Sequence, residues 1–87
     1  MKIRLIGVDT CKNCCRLRKH YDDQCADYEY WDGNNDDLQE ELDKMKIYDF
    51  PVVQILDNDK VIWSSDPVLQ KSGISYKRIL KIMETLK

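Results

Sequence analysis

Four cysteines lie close together in the first third of the chain. Cys11 and Cys14 are separated by two residues, Cys15 follows directly, and Cys25 comes ten residues later. A Cys-x-x-Cys pair is typical of thiol–disulfide exchange or of metal binding, because the thiolate is both a nucleophile and a metal ligand. In a secreted mini-protein four cysteines would instead form structural disulfides, with three alternative pairings. Here they leave the last 62 residues without a bridge, which favours redox or metal chemistry.

The chain is short, with 87 residues, of which 43% are hydrophobic and 34% charged. We expect one domain over residues 1–87, because two separate cores of half this size would be unstable. The hydrophobic content is too high for disorder, and the longest uncharged apolar stretch, residues 50–56, is far shorter than the roughly 20 residues of a membrane span. Charges within the first six residues do not fit a signal peptide. We therefore expect a soluble, cytoplasmic protein.

The net charge of −2 conceals an uneven distribution. Residues 1–20 carry six basic residues and one acidic residue, residues 21–66 carry three and fourteen, and residues 67–87 carry five and one. The small negative total excludes a nucleic-acid-binding protein that works by bulk positive charge. If the two ends of the chain pack together, the protein has a basic face and an acidic face.

The first half of the chain predicts a β-α-β unit. The apolar run at residues 2–8 is typical of a buried strand, and Asp9 or Thr10 would cap the helix that follows. Cys11 would then lie at or next to the helix N-terminus. Alternating polar and apolar residues from Cys25 to residue 31 predict the second strand. The buried face of the first helix is expected to comprise Cys14, Leu17 and Tyr21.

The second half predicts an α-β-β-α unit. Residues 36–46 have helical spacing, with acidic residues first and lysines last, as the helix dipole favours. Two apolar runs around a turn at residues 57–60 predict a β-hairpin. Residues 64–74 form a connection, with a helical turn at residues 68–69, and Ser75 would cap the last helix. The apolar stripe of that helix is Ile79, Ile82, Met83 and Leu86.

These elements, in the order β-α-β-α-β-β-α, predict an α/β fold. Each strand of the first half is followed by a helix, so the first two strands are expected to be parallel. The hairpin would complete a mixed four-stranded sheet with helices on both faces.

At this point the chain resembles the glutaredoxin and thioredoxin family over essentially its whole length. The resemblance rests on Cys11-Lys12-Asn13-Cys14 between the first strand and a helix, and on Pro51 at the entry of the third strand, about forty residues after Cys11. The short chain is similar to small dithiol glutaredoxins, including viral ones. The resemblance implies a thioredoxin fold and the activity of a thiol–disulfide oxidoreductase.

Within this resemblance the two cysteines have separate roles. The helix N-terminus and Lys12 favour the thiolate of Cys11, which would attack a disulfide. Cys14, one helical turn deeper, would then resolve the mixed disulfide. The resemblance also implies a cis bond before Pro51 that places the backbone of Phe50 beside the sulfurs. The residues expected to bind substrate are Lys12, Asn13, Phe50, Pro51 and Asp66.

The resemblance further implies partners. We expect a monomer without a bound cofactor, reduced by glutathione or by a thioredoxin reductase, and no nucleic-acid or membrane partner. Its substrate would be a disulfide-containing protein such as ribonucleotide reductase. The first and last helices would share one face of the sheet and form a basic surface that favours an anionic substrate, either glutathione or an acidic segment of a partner protein. Its residues would be Lys12, Arg16, Arg18 and Lys19, extended by Lys77, Arg78 and Lys81.

Four further expectations concern residues outside this pair. Cys15 and Cys25 are expected to be small buried residues, and His20 to be solvated at a helix end. The aromatic residues expected to pack in the core and on the sheet faces are Tyr28, Tyr30, Trp31 and Trp63.

Two alternatives to the enzyme remain open at this level. One is a zinc or iron–sulfur protein that uses Cys11, Cys14 and either Cys15 or Cys25 as ligands. The other is a binding module that kept the fold and lost turnover. Lys12-Asn13 replaces the usual Pro-Tyr of glutaredoxins, and the Gly-Gly pair after the fourth strand is missing, which keeps this second alternative open.

Overall fold

The computed structural model describes residues 1–65 and 74–86. Its elements follow the predicted order. Asp66 and the predicted helical turn at residues 68–69 lie outside the described residues. No helix within those ranges is long and apolar enough to cross a membrane. The elements are β1 (Lys2–Gly7), α1 (Lys12–Asp23), β2 (Tyr28–Asp32), a 3₁₀ turn (Asp36–Leu38) leading into α2 (Gln39–Lys44), β3 (Val52–Asp57), β4 (Lys60–Ser64) and α3 (Tyr76–Leu86).

The four strands form one mixed sheet in the order β2-β1-β3-β4. β1 is parallel to β2, with Leu5 opposite Tyr30, and antiparallel to β3, with Leu5 opposite Val53. The β3–β4 hairpin turns at Asn58 and Asp59, whose φ angles of 52° and 64° suit a two-residue turn. The predicted sheet is confirmed. Its register brings the ends of β1 and β2 and the start of β3 to one edge.

The sheet has a hydrophobic core on each face because successive strand residues point in opposite directions. Helices α1 and α3 cover one face and α2 covers the other, as the resemblance implied. The first core comprises Ile3, Leu5, Leu17, Tyr21, Val53, Ile55, Ile74 and Ile79. The second comprises Ile6, Leu42 and Val52, with half-buried Trp31, Leu38, Met45, Ile47 and Phe50 around it.

The aromatic residues and the last helix also follow the prediction. Tyr28, Tyr30 and Trp63 pack against the first core, and Trp31 packs against the second. Ser75 caps α3, since its Oγ accepts the N–H of Arg78 at 3.2 Å. The apolar stripe of α3 lies in or against the first core.

Two of the predicted elements have different boundaries in the structure. The second strand begins at Tyr28 rather than Cys25, because Cys25 has a φ of 54°, in the left-handed region that ends the preceding turn. The helix expected over residues 36–46 is α-helical only over Gln39–Lys44. Its first turn is 3₁₀, and Lys46 leaves the helix with a φ of 56°.

Cys15 and Cys25 are exposed, so the expectation that both are buried is wrong. Cys15 follows the buried Cys14, and one residue turns the helix by about 100°, which takes Cys15 away from the sheet. Its Sγ lies 3.4 Å from the carbonyl oxygen of Asp9.

His20 is also placed differently from the expectation of a solvated side chain. Its Nε2 accepts the backbone N–H of Tyr76 at 3.2 Å, at the start of α3. Beside it, the fully buried Tyr21 donates its hydroxyl to the carbonyl oxygen of Ile74 at 3.2 Å. These two bonds connect the end of α1 to the start of α3.

The substitution Tyr21→Phe tests this connection. It keeps the ring in the core but leaves the Ile74 carbonyl without its partner, at a cost of about 1–3 kcal/mol in the free energy of unfolding. A thermal melt should show a decrease in Tm of roughly 4–8 °C per kcal/mol. The matched control is Tyr28→Phe, whose hydroxyl bonds to the exposed Asp22 and should matter little. Equal melting temperatures for the two variants would contradict the connection.

Candidate active site

The helix cap of α1 is a cysteine. Cys11 has an extended backbone, with φ −90° and ψ 115°, and its Sγ accepts the N–H of Cys14 at 3.3 Å. The thiol thus takes the place that the hydroxyl of a serine cap occupies in other helices. The expected cap at Asp9 or Thr10 is wrong, whereas the expected place of Cys11 at the helix N-terminus is confirmed.

The surroundings of Cys11 favour its thiolate. Burial opposes ionisation of this sulfur, but hydrogen bonds from the Cys14 thiol and from the backbone N–H groups of Cys14 and Asn13 outweigh it and hold the pKa of Cys11 below its ordinary value. The first turn of α1 contains no acidic residue, so nothing in it offsets the positive end of the helix dipole. Cys11 is therefore the more acidic of the two thiols.

Cys14 has the opposite properties. It is only 3% exposed, and burial, together with its hydrogen bond to Cys11, raises its pKa to about 12. The sulfur lies against Gly7, where a methyl group would come 3.0 Å from Cys14 Cβ and 3.2 Å from its Sγ. Close packing against the end of β1 thus holds Cys14 beneath the cap. The site combines an accessible, acidic thiol with a buried thiol that remains protonated.

The loop before β3 reaches the same sulfur. The Phe50–Pro51 peptide is cis, as the resemblance implied. The carbonyl oxygen of Phe50 lies 3.9 Å from Cys11 Sγ, at the outer limit of a sulfur hydrogen bond. The Phe50 ring packs so closely on Gly33 that a methyl group there would meet its Cζ at 2.6 Å and Val8 at 2.9 Å. The structure therefore brings Phe50 and Pro51 to the two cysteines.

The other expected substrate-binding residues lie at the rim or outside the described residues. Lys12 and Asn13 form the first turn of α1 and are exposed. Asp66 is not among the described residues. A groove of about 170 Å³ runs beside the Phe50–Pro51 segment. It is lined by residues 45–49 and by Val52, Ser64 and Ser65.

Three residues that shape the site were not predicted from the sequence. Gly7 is the last residue of β1, and Gly33 directly follows β2. The backbone N–H of Gly33 donates to the carbonyl oxygen of Gly7 at 2.7 Å. Because it has no side chain, Gly7 allows Cys14 to pack closely against it, and Gly33 does the same for the ring of Phe50. Tyr30 is the third, since its hydroxyl oxygen would lie 3.6 Å from a methyl group at Gly7. The sequence did offer one signal for these positions, namely a glycine at or directly after the end of each of the two parallel strands.

The predicted basic surface is exposed along α1. Lys12, Arg16 and Lys19 are separated by four and three residues, which places them in one row on the helix. Arg18 points elsewhere, with its guanidinium stacked 3.9 Å from the centre of the Tyr30 ring. On α3, the exposed basic residues are Lys77, Arg78 and Lys81.

The cysteines do not form a ready metal site. Across residues 1–65 and 74–86, no three His, Cys, Asp or Glu side chains come together in an arrangement that could hold a metal ion. All four cysteines are free thiols.

Comparisons with known proteins agree with this architecture. The structure superposes on thioredoxin 1 from the thermophilic eubacterium Thermosipho africanus TCF52B with a TM-score of 0.66, over 99% of this chain and 93% of that one, at 19% sequence identity. The protein has the thioredoxin fold. Within this fold it is also similar to glutaredoxin (grx-1) from Archaeoglobus fulgidus, with a TM-score of 0.52, over 82% of this chain and 83% of that one, at 19% identity. A scan of protein-family models and a search of curated proteins matched nothing.

The difference in pKa between the two active-site thiols is testable by alkylation. With the reduced protein and iodoacetamide, we expect Cys11 to react at lower pH than an ordinary thiol, and Cys14 to stay unmodified up to about pH 9. Peptide mass spectrometry separates the two from the exposed Cys15 and Cys25. The change Cys14→Ala should shift the profile of Cys11 to higher pH, because the thiol hydrogen bond is lost. Identical profiles for Cys11 and Cys25 would contradict this assignment.

Proposed function

We propose that this protein is a thiol–disulfide oxidoreductase that reduces protein disulfides or glutathione mixed disulfides through Cys11 and Cys14. The observation that carries the proposal is the pairing of two unlike thiols at one helix N-terminus. The sulfur of Cys11 accepts the N–H of Cys14, and the sulfur of Cys14 is buried directly beneath it. The thioredoxin fold supports the same activity.

The reaction proceeds in two exchanges. The Cys11 thiolate attacks one sulfur of the substrate disulfide, which forms a mixed disulfide and releases the other sulfur as a thiolate that takes up a proton. Cys14 then loses its proton and attacks Cys11 Sγ, so that the Cys11–Cys14 disulfide forms and the second substrate thiolate leaves. Two electrons pass from the dithiol to the substrate.

The path of the incoming disulfide is bounded by the loop before β3. The Phe50 carbonyl faces Cys11 at 3.9 Å, so an extended substrate segment can pair with this backbone while its sulfur meets the thiolate. Lys12 and Asn13 border the same approach from the first turn of α1. Asp66 is proposed as a further substrate contact from the sequence resemblance alone.

The proposed activity requires a source of electrons and a protein that accepts them. Glutathione or a thioredoxin reductase would reduce the Cys11–Cys14 disulfide, and a protein such as ribonucleotide reductase would receive the electrons. A reducing cytoplasm is the compartment that suits a dithiol donor. Zinc or iron–sulfur binding is less well supported, because the described residues contain no grouped metal ligands.

Trapping the intermediate tests the proposed function. We expect Cys14→Ser to complete the first exchange and stop, so that one substrate molecule remains covalently bound through Cys11. Cys11→Ser should bind none, and Cys15→Ser, a matched change at an exposed thiol, should turn over at the wild-type rate. Intact-mass spectrometry after mixing with a disulfide peptide measures all three.

The same experiment addresses the alternatives. Absence of the adduct in Cys14→Ser, together with no turnover by the wild-type protein, would contradict an oxidoreductase and favour the non-catalytic module. An adduct that forms through Cys15 would contradict the assigned nucleophile.

The basic row on α1 supports an anionic substrate. Lys12, Arg16 and Lys19 are exposed, and the row begins at the residue after Cys11. None of the ion pairs formed within the described part of the chain involves these three residues. An acidic segment that follows the α1 surface would therefore bring its disulfide to Cys11 with favourable long-range attraction.

Charge reversal measures this attraction. We expect Arg16→Glu to lower kcat/KM for an acidic disulfide peptide by roughly threefold to tenfold at low ionic strength. Added salt should reduce the difference, because it screens exposed charges. The matched control is Lys60→Glu, which makes the same change in net charge at the hairpin, away from the active-site edge. Equal losses for the two variants, or no dependence on salt, would contradict steering by the basic row.

A further inference from the structure

The side chain of Gln39 holds the connection between β2 and α2. Its Nε2 donates to the carbonyl oxygen of Gly33 at 2.7 Å and to that of Asn35 at 3.1 Å. The amide nitrogen of a glutamine carries two hydrogens, so both can be used on this connection. Gln39 is the first residue of α2. Its two bonds therefore tie the start of this helix to the residues that follow β2.

Gly33 depends on this support because of what packs against it. The ring of Phe50 lies so close that a methyl group on Gly33 would meet Phe50 Cε1 at 2.8 Å, so a side chain at this position would displace the ring. Glycine is also the residue with the greatest backbone freedom, so its peptide groups must be held by their neighbours. The Gly33 N–H donates to Gly7 at 2.7 Å. Within residues 1–65 and 74–86, the hydrogen bond that the Gly33 carbonyl accepts comes from Gln39.

Phe50 connects Gly33 to the nucleophile. Its ring packs against Gly33 and the second core, and its carbonyl oxygen lies 3.9 Å from Cys11 Sγ. A shift of Gly33 moves the ring, and with it the carbonyl that an extended substrate segment would meet. The contacts from Gln39 to Cys11 are therefore continuous: an amide bonds to a carbonyl, a glycine packs on a ring, and the carbonyl of that residue faces the sulfur.

Resting on the proposed function, we propose that Gln39 is a positioning residue for substrate disulfides that are carried on an extended protein segment. By holding the Gly33 carbonyl, Gln39 keeps the Phe50 ring, and thus the Phe50 carbonyl, where a backbone N–H of the substrate would donate to it. The effect is confined to substrates long enough to pair with this backbone. A small disulfide that reaches only the Cys11 sulfur does not use the Phe50 carbonyl and does not depend on Gln39.

Two substitutions and two disulfides test the proposal. Gln39→Met keeps the length and the helix propensity but has no N–H to donate, and Gln39→Glu puts a carboxylate against two carbonyl oxygens. One disulfide is a neutral extended peptide whose single cysteine is joined to mercaptoethanol. The other is bis(hydroxyethyl) disulfide, which has the same kind of reacting bond without the peptide. The reduced protein is mixed with an excess of either one, and its oxidation is followed by acid quench and mass spectrometry.

We expect the second-order rate constant for the peptide to fall by roughly two- to tenfold in Gln39→Met, as for the loss of one hydrogen bond, and further in Gln39→Glu. The peptide concentration that gives half the maximal rate should rise while the maximal rate stays the same, because bound peptide still reaches the same thiolate. Bis(hydroxyethyl) disulfide should react equally fast with all three proteins. The matched controls are Gln24→Met and Gln24→Glu, the same changes at the exposed end of α1 far from Cys11 in the helix, which should alter neither rate.

The outcomes distinguish this inference from the proposed function. Unchanged peptide kinetics in both Gln39 variants, or an equal loss with the small disulfide, would overturn the positioning role, since a general loss of folding affects both substrates alike. Thermal melts set the working temperature below the transition of every variant. A wild-type protein that reduces neither disulfide would overturn the proposed function itself.

Discussion

The hydrogen bond from the backbone N–H of Cys14 to the sulfur of Cys11, at 3.3 Å, connects the start of α1 to the chemistry of the site. It gives a partner to one of the N–H groups that every helix leaves unpaired at its first turn. It also stabilises negative charge on that sulfur, since a thiolate is a stronger acceptor than a sulfur in a disulfide. Helix formation and the reduced, ionised state of Cys11 therefore support each other. Any change that moves the first turn of α1 therefore also changes the surroundings of the Cys11 sulfur.

The rest of the fold keeps this bond in place through close contacts at one edge of the sheet. β1 and β2 end together, and the N–H of Gly33 bonds to Gly7. Gly7 lies under Cys14, and Gly33 lies under the ring of Phe50, whose carbonyl faces Cys11. Because the two glycines are bonded across the strands, one backbone hydrogen bond joins the packing site of the buried thiol to that of the Phe50 ring.

Element order, the parallel β1–β2 pair and the two-sided sheet were predictable from the sequence because they depend on apolar periodicity, as in the stripe that ends at Leu86. Features that depend on tertiary contacts were not. The sulfur cap was missed because cysteine is not among the usual capping residues, and His20 bonds to a helix 56 residues away in the chain. The exposure of Cys25 depends on a single left-handed residue. The sequence indicated only a packing role for Tyr30. Its hydroxyl can lie near Cys14 because Gly7 has no side chain.

We propose that Cys11 and Cys14 form a reversible redox pair whose reduced form is stabilised by the helix cap. The most direct measurement is the reduction potential of this pair, obtained by equilibrating the protein with defined ratios of reduced and oxidised glutathione and counting thiols by mass. We expect one two-electron couple between about −180 and −280 mV that belongs to Cys11 and Cys14. A potential below about −300 mV, as in structural disulfides, or a disulfide that excludes Cys14, would contradict it.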